Sequence, residues 1–226
     1  MNKEYIDNIL AIETTTQVCS ASLMKKNSIF NREIMSNSEH TKYILQIIDE
    51  LLKEANITIN NIDYLACSHG PGSFTGIRIG ISVIHGIAFK INTPVVGIST
   101  MMTLAEGVWR CMQYSKVLII MHAKQGMVYF AKYIRNNNGI WIGKNSETII
   151  KVKKIQTLLK NLSGKWIVVG VNLKNDQYIF NQISQYAYIN NIYPNAQDVI
   201  SLVKKQLCYK KIKQKTTIKP VYLLNI

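Results

Sequence analysis

The feature that most constrains this chain is a glycine-rich segment, Gly70-Pro71-Gly72-Ser73-Phe74-Thr75-Gly76-Ile77-Arg78-Ile79-Gly80. It follows an apolar stretch that predicts a strand at 63–69, and it leads directly into a predicted apolar helix at 75–90. A turn that contains three glycines and a proline, between a strand and a helix, requires unusual backbone angles and close backbone approach. We call residues 70–78 the glycine turn, in which Ser73 and Thr75 are suited to cap the helix.

The glycine turn does not match either common nucleotide-binding motif. The start of a helix offers free N–H groups to an anion, but a P-loop needs Gly-Lys-Ser/Thr there, and Arg78 lies in the first turn instead. The dinucleotide motif G-x-G-x-x-G fails as well, because Gly70 and Gly72 fit but Thr75 stands at the third glycine position.

Further motifs accompany the glycine turn in a fixed order. They are Ile9-Leu10-Ala11-Ile12-Glu13-Thr14-Thr15-Thr16, Glu39-His40-Thr41, Pro94-Val95-Val96-Gly97-Ile98-Ser99-Thr100 and Pro220-Val221-Tyr222-Leu223. Together with the glycine turn they resemble the bacterial TsaB (YeaZ) family, the non-catalytic partner subunit in making threonylcarbamoyladenosine in the tRNA anticodon loop. The resemblance is dense over residues 8–135 and thin afterwards.

The resemblance implies a fold, partners and a cofactor site. The fold would be α/β, ribonuclease-H-like or actin-like (ASKHA), with two subdomains in which helices flank a mixed sheet. The chain would be a scaffold that activates a TsaD-like catalytic subunit for N6-threonylcarbamoylation of tRNA adenosine, and would meet tRNA only through that complex. A TsaE-like ATPase would join, with ATP or ADP at the complex interface and none bound by the chain alone. Without its partner the chain would form a homodimer.

Hydrophobic patterning predicts two α/β units. The first spans residues 1–102 and is completed by a helix near 195–208, within residues 195–226. The second spans residues 103–194. Besides the strand and helix around the glycine turn, the first unit is predicted to have strands at 9–14, 18–25, 28–35 and 94–98 and a helix at 40–55. The second unit has a helix, two strands and further elements, at 103–113, 116–122, 127–135, 140–150, 152–161, 166–170 and 174–185.

The turn Glu13-Thr14-Thr15-Thr16, the opening turn, corresponds through the resemblance to the phosphate-binding hairpin of actin-like ATPases and sugar kinases. Those proteins use an acid to manage a metal, and small residues so that the backbone can touch phosphate. Here the turn lacks glycine, and Glu13 stands where the family usually has Asp. We interpret the turn as a vestigial phosphate site; the alternative is an actin-like ATPase or a kinase-type enzyme.

The sequence contains no recognisable catalytic or metal-binding arrangement. The catalytic relative of the family binds metal through two histidines one helical turn apart, and the four histidines here form no such pair. There is no G-x-S-x-G motif, and Ser73 has no histidine and acid in register for a triad. We therefore predict no catalytic residue and no metal.

Two apolar helices, at 40–55 and 75–90, are predicted to carry the function. From the pattern alone a core role is favoured, whereas the resemblance implies that both helices pair with those of the catalytic partner. Gly76 and Gly80 would let a second helix approach closely, so a leucine at Gly80 should block pairing and leave the fold largely intact. The predicted interface residues are His40, Ile44, Leu45, Ile48, Leu51, Gly76, Ile77, Gly80, Val83, Ile84 and Ile87.

Four positions depart from the pattern of the family. His122, Lys124 and Met127 stand where the family commonly has Asp, Arg and Glu, and Leu224 stands where the closing motif usually has Arg. Imidazole, ammonium and thioether groups cannot build the polar contacts of two carboxylates and a guanidinium.

The net charge of +14 raises the question of nucleic-acid binding. Seven lysines between 204 and 219 form a basic tail without an acidic residue, and such a block binds phosphates in a salt-dependent way. Because all basic residues but four are lysine, whereas phosphate sites favour Arg, drift in an AT-rich genome is the favoured explanation. A basic RNA-binding protein is the alternative.

Localisation is predicted from the absence of targeting features. No apolar run approaches the length of a membrane span, and the N-terminus does not resemble a signal peptide. Four scattered cysteines form no C-x-x-C pair. We expect a cytoplasmic chain with reduced thiols and no membrane contact.

Overall fold

The computed structural model describes residues 7–36, 39–124, 126–159, 162–173, 177–190, 192–209 and 217–223, and the chain divides into two compact units. The first unit comprises residues 1–103 and 194–221, and the second comprises 104–193 and 222–226. The helices are α1 (His40–Glu54), α2 (Phe74–Ile91), α3 (Thr100–Met112), α4 (Ile155–Leu159), α5 (Gln177–Ile183) and α6 (Ala196–Cys208).

The first unit is built on a five-stranded mixed sheet with the order β3-β2-β1-β4-β5. Its strands are β1 (Asn8–Glu13), β2 (Val18–Lys25), β3 (Ser28–Met35), β4 (Tyr64–Ser68) and β5 (Val95–Ile98). The first three strands form an antiparallel meander, and β4 and β5 continue the sheet parallel to β1. Residues 9–12 of β1 are fully buried, as expected for a central strand covered on both faces.

Helices α1 and α2 pack on one face of this sheet. Ile44 and Leu51 of α1 and Ile77 and Ile84 of α2 share a buried cluster with Leu10, Ile12, Leu23 and Leu65 of the strands. Because side chains alternate along β1, Ile9 and Ala11 point to the other face, and α6 also contacts β1, β2 and β4. The first unit is thus a sheet between helices.

Side-chain caps fix the ends of the helices that return to this sheet. The Ser73 hydroxyl accepts a hydrogen bond from Gly76 N (3.2 Å), and α2 ends at Asn92 in a left-handed conformation. At the start of α6, Asn195 Oδ1 accepts a hydrogen bond from Gln197 N (3.0 Å), and Ala196 N donates to Ser20 Oγ of β2 (3.0 Å).

The second unit has a six-stranded sheet with the order β11-β10-β6-β7-β8, in which β9 also pairs with β7. Its strands are β6 (Lys116–His122), β7 (Met127–Arg135), β8 (Trp141–Ile142), β9 (Thr148–Lys151), β10 (Ile167–Val171) and β11 (Ala187–Asn190). Ile155 of α4 and Ile179 of α5 pack with Leu118, Phe130 and Val168 of the strands in a second core.

The predicted strands and helices of the first unit agree with the structure to within one residue at each end. In the second unit the segment predicted at 152–161 is a 3₁₀ turn, Val152–Lys154, followed by α4, and the short strand β11 was not predicted.

The expectation that no apolar run approaches the length of a membrane span is wrong. Helix α2 has 18 residues and is long and apolar enough to cross a membrane by length and composition alone. That signal is weak, because a core helix passes the same test, and Ile77, Ile81 and Ile84 of α2 are buried in the core of the first unit.

Candidate functional site

The glycine turn connects the end of β4 to the start of α2 and is packed tightly against the C-terminal segment. Gly70 has a φ of +116°, and a Cβ atom built there would lie 2.5 Å from the Val221 carbonyl oxygen, so only glycine fits. Val221 N in turn donates a hydrogen bond to His69 O (2.8 Å). Val221 of the closing motif therefore lies directly on the glycine turn, although about 150 residues separate them in the chain.

Helix α2 approaches the opening turn more closely than any side chain would allow. Ser73 N donates to Thr15 O (2.7 Å), and Thr14 Oγ1 donates to Gly76 O (2.8 Å). A Cβ atom on Gly72 or Gly76 would collide with the carbonyl oxygen of Thr15 or Thr14, and one on Gly80 would lie 2.6 Å from Thr14 Oγ1. Gly72, Gly76 and Gly80 are thus required by the opening turn.

This geometry corrects the prediction for Gly80. We expected Gly76 and Gly80 to receive a helix of a partner and Gly80→Leu to leave the fold largely intact. Both glycines are buried against Thr14 within the first unit. A leucine at Gly80 would displace the opening turn, so the substitution cannot serve as a test of partner binding.

Glu13 in the opening turn is completely buried. Its Oε1 atom accepts hydrogen bonds from Thr15 N (2.6 Å) and Thr15 Oγ1 (2.5 Å), while Oε2 has no hydrogen-bond partner of ordinary geometry. Burial raises the pKa of Glu13, and the hydroxyl groups of Ser68 and Thr15 act in the opposite direction. The carboxyl group is therefore hydrogen-bonded within its own turn and does not face solvent.

The two thiols near Glu13 are poor nucleophiles. Cys19 and Cys67 are buried and form no disulfide. Burial, and secondarily the charge of Glu13, raises the pKa of Cys19 to about 12 and raises the pKa of Cys67 as well. A thiol with a raised pKa stays protonated at neutral pH, and the protonated form does not attack electrophiles.

His40 lies at the start of α1 and is buried beside the opening turn. Its Nδ1 atom is 2.9 Å from Ser36 Oγ. Burial lowers the pKa of His40, and a backbone hydrogen bond with Thr16 opposes that shift. The hydrogen bond with Thr16 joins α1 to the opening turn, so His40 has a structural role in the core of the first unit.

The predicted partner interface must be corrected for most of its residues. Eight of the eleven are buried in the first unit and are not available at its surface: His40, Ile44, Ile48, Leu51, Gly76, Ile77, Gly80 and Ile84. An apolar stripe at helical spacing here covers the sheet, which is the core role that the pattern alone favoured.

The apolar residues that do reach the surface of the two helices form a smaller set. Leu45 is 61% exposed, and the others are half-buried apart from Gly86, which is exposed. A Cβ atom on Gly86 would meet no atom within 4 Å. We define the helix-pair surface as Leu45, Leu52, Ile79, Val83, Gly86 and Ile87.

Sequence reasoning missed Gly86 and the exposed Phe89 of α2. The buried positions 77, 81, 84 and 88 mark the sheet-facing side of the helix, and Gly86 and Phe89 fall outside that stripe. Phe89 is 93% exposed. In the glycine turn, the guanidinium carbon of Arg78 lies 3.3 Å from the centre of the exposed Phe74 ring.

Three of the four positions that depart from the family lie at or between the end of β6 and the start of β7. His122 and Lys124 are exposed, whereas the Met127 side chain is buried. Leu224 and the lysines at 210–215 lie outside the described residues. Within the described part of the chain, no three His, Cys, Asp or Glu side chains are grouped so that they could hold a metal ion.

Comparison with known proteins gives consistent matches. A family model described as TsaD, tRNA N6-adenosine threonylcarbamoyltransferase, matches residues 32–216. The tRNA threonylcarbamoyladenosine biosynthesis protein TsaB of Buchnera aphidicola subsp. Schizaphis graminum is 38% identical over 86% of this chain and 91% of its own length. The Escherichia coli K12 protein of the same name is 33% identical over 96% and 94% of the two chains.

A solved structure shares the fold. It is a Pseudomonas aeruginosa protein described as similar to peptidase YEAZ, and it matches 96% of this chain and all of its own with a TM-score of 0.85. The sequence identity is 24%.

Two glycines of α2 provide a matched test of the close approach. We expect Gly80→Ala to lower the free energy of unfolding by about 1–3 kcal/mol, because the new methyl group collides with Thr14. Gly86→Ala should raise it by about 0.5–1 kcal/mol through helix propensity, since space is free there. Urea denaturation of both variants measures these changes, and equal effects would contradict the explanation given for Gly80.

The burial of Glu13 predicts a pH-dependent effect of Glu13→Gln. Because the pKa of Glu13 is raised in the folded protein, the folded state binds the proton of this carboxyl group more tightly than the unfolded state does. The free energy of unfolding of the wild-type protein therefore falls as the pH rises from about 4.5 toward the pKa of Glu13 in the folded state. Glutamine mimics the protonated acid and removes this loss. The stability of the variant relative to wild type should therefore increase from pH 4.5 to pH 8 in urea titrations, and a difference that is constant over this range would exclude the raised pKa.

Proposed function

Because the chain belongs to the TsaB family of tRNA threonylcarbamoyladenosine biosynthesis proteins, we propose that it acts as the non-catalytic subunit that holds a TsaD-like catalytic subunit in its active shape. The fold of the chain is actin-like (ASKHA), with two mixed-sheet α/β units. The family relation extends to the catalytic enzyme itself, since the matching family model is that of TsaD. Two chains of related fold can pair through equivalent helices.

The observation that carries this proposal is the helix-pair surface. Helices α1 and α2 are held by buried side chains on one face, and yet Leu45 remains 61% exposed and Ile79, Val83 and Ile87 are half-buried. An apolar surface that is wider than its own sheet can cover is typical of a protein-binding site. Gly86 supplies an open position where the backbone of a second helix can come close.

The state of the opening turn supports a role without catalysis. The residues corresponding to a phosphate-binding hairpin are buried and bonded to one another and to α2, as Glu13 is to Thr15 and Thr14 is to Gly76. A phosphate would have to displace those contacts. We therefore propose that any ATP or ADP in the complex is held at its interface by the partners.

Two further associations belong to this proposal. We propose that a TsaE-like ATPase joins the assembly of this chain with its TsaD-like partner. In the absence of that partner, the helix-pair surface is available to a second copy of the chain, since one apolar patch can pair with itself about a two-fold axis. We propose the cytoplasm as the site of action.

The first experiment is light scattering after size-exclusion chromatography, with the chain alone and mixed with the TsaD-like protein of the same organism. We expect the chain alone to form a dimer and the mixture to form a complex that contains both proteins. Failure to form a mixed complex, with nucleotide present and absent, would overturn the proposed function.

Two substitutions test whether the helix-pair surface makes the contact. Leu45→Asp places a charge on an exposed apolar position, and Gly86→Leu fills the open position on α2. Each should weaken binding of the partner by at least about ten-fold, as expected for residues central to an interface. Isothermal titration calorimetry with the TsaD-like protein measures the loss, and threonylcarbamoyladenosine formed in a reconstituted reaction should fall with it.

Matched controls separate loss of contact from loss of fold. Gln46→Asp puts the same charge on the next exposed residue of α1, outside the helix-pair surface, and Gly86→Ala adds only a methyl group. Both controls should bind the partner within about two-fold of wild type, and none of the four variants should melt below it by more than a few degrees. Wild-type affinity in Leu45→Asp and Gly86→Leu would assign the contact to another surface.

A further inference from the structure

The acidic residues of the chain are distributed very unevenly between its two units. The second unit contains 12 Lys and Arg but 3 Asp and Glu, whereas the first contains 15 and 10. Basic residues are thus about equally frequent in the two units, and the difference lies in the missing carboxylates. A base-composition bias that acts on one gene accounts for abundant lysine, but it does not account for acids that are missing from one unit.

The carboxylates of the second unit that the structure describes are engaged inside it. Glu106 is 3% exposed, and its Oε2 atom accepts a hydrogen bond from Trp141 Nε1 (2.7 Å). Glu147 accepts a short hydrogen bond from the Tyr133 hydroxyl. The first unit differs, because there Asp49 and Glu54 lie at the surface and form ion pairs with Lys53 and Arg32 (both 2.5 Å). The described surface of the second unit therefore lacks such neutralisation.

Four lysines of this unit are brought together by strand pairing. β9 pairs with β7 so that Lys151 lies beside Met127, and Val152 N donates to Gly126 O (3.1 Å). Lys124 lies in the connection between β6 and β7, and Lys153 and Lys154 lie in the 3₁₀ turn that follows β9. All four are exposed, and none forms an ion pair within the described residues. We define them as the basic edge: Lys124, Lys151, Lys153 and Lys154.

We propose that the basic edge binds the phosphate backbone of tRNA directly. Ammonium groups that are not neutralised by nearby carboxylates attract phosphates and release their counterions, which gives affinity without reading the base sequence. The choice of tRNA among polyanions rests on the proposed function, since tRNA is the molecule that the pathway modifies. The contact would position the tRNA, while the partner recognises and modifies the adenosine.

The test compares two triple variants of equal charge. Lys151→Gln/Lys153→Gln/Lys154→Gln removes three charges from the basic edge, and Lys26→Gln/Lys42→Gln/Lys53→Gln removes three exposed charges from the first unit. Binding of the full-length chain to an unmodified tRNA transcript is measured by filter binding between 50 and 200 mM salt. The basic-edge variant should lose about ten-fold or more in affinity, and the slope of log K against log salt should fall by about two to three. The control should stay within about two-fold of wild type.

Each other outcome has a definite meaning. Equal losses in both variants would show that net charge alone drives binding, and no binding of the wild-type chain at 50 mM salt would show that no such contact exists; either result overturns the proposal. The light-scattering experiment with the TsaD-like protein is independent of this one. A complex without tRNA binding at the basic edge would refute this contact alone, and tRNA binding without a complex would refute the proposed function alone.

Discussion

The contact on which the first unit depends is the one between the start of α2 and the opening turn. Gly76 and Gly80 let the helix backbone come within reach of Thr14, and hydrogen bonds from Ser73 N and Thr14 Oγ1 close the gap. Because the opening turn joins β1 to β2, this contact fixes the helix against the centre of the sheet. The C-terminal segment at Val221 packs against the glycine turn, where it contacts Gly70 and His69.

The same contact bears on the proposed role of the chain as a non-catalytic subunit. In the opening turn the carbonyl groups of Thr14 and Thr15 face Gly76 of α2 and Gly72 of the glycine turn, and Glu13 is buried with one oxygen bound to Thr15. Groups that could otherwise meet a phosphate or a metal are used to hold two elements of the protein together. A helix that is anchored so firmly presents its outer side in a fixed position, and pre-organisation of that kind lowers the entropy lost on binding a partner.

Much of this fold follows from local pattern, and the contacts between elements do not. The strands and helices of the first unit were placed to within one residue, since alternating and helical periodicities are strong there and Ser73 is suited to cap the start of α2. The glycine turn was found for the right reason, close approach, but with the wrong neighbour. The apolar positions 77, 81, 84 and 88 place Gly86 on the opposite face of α2. For Gly76 and Gly80, however, the spacing does not show whether a partner helix or the opening turn comes close to them. Similarly, Glu13 looks like a site residue in sequence, and only its burial shows its structural role.

The division of charge between the units is consistent with two kinds of binding surface on one chain. Bringing lysines into an apolar interface would require stripping water from their ammonium groups, which is unfavourable without a carboxylate nearby. The helix-pair surface contains no charged residue, whereas the basic edge lies on the second unit, among residues with few acids. A phosphate backbone needs the opposite arrangement, with ammonium groups that stay hydrated until counterions leave. An apolar surface and a basic surface on different units can therefore each suit its own partner without weakening the other.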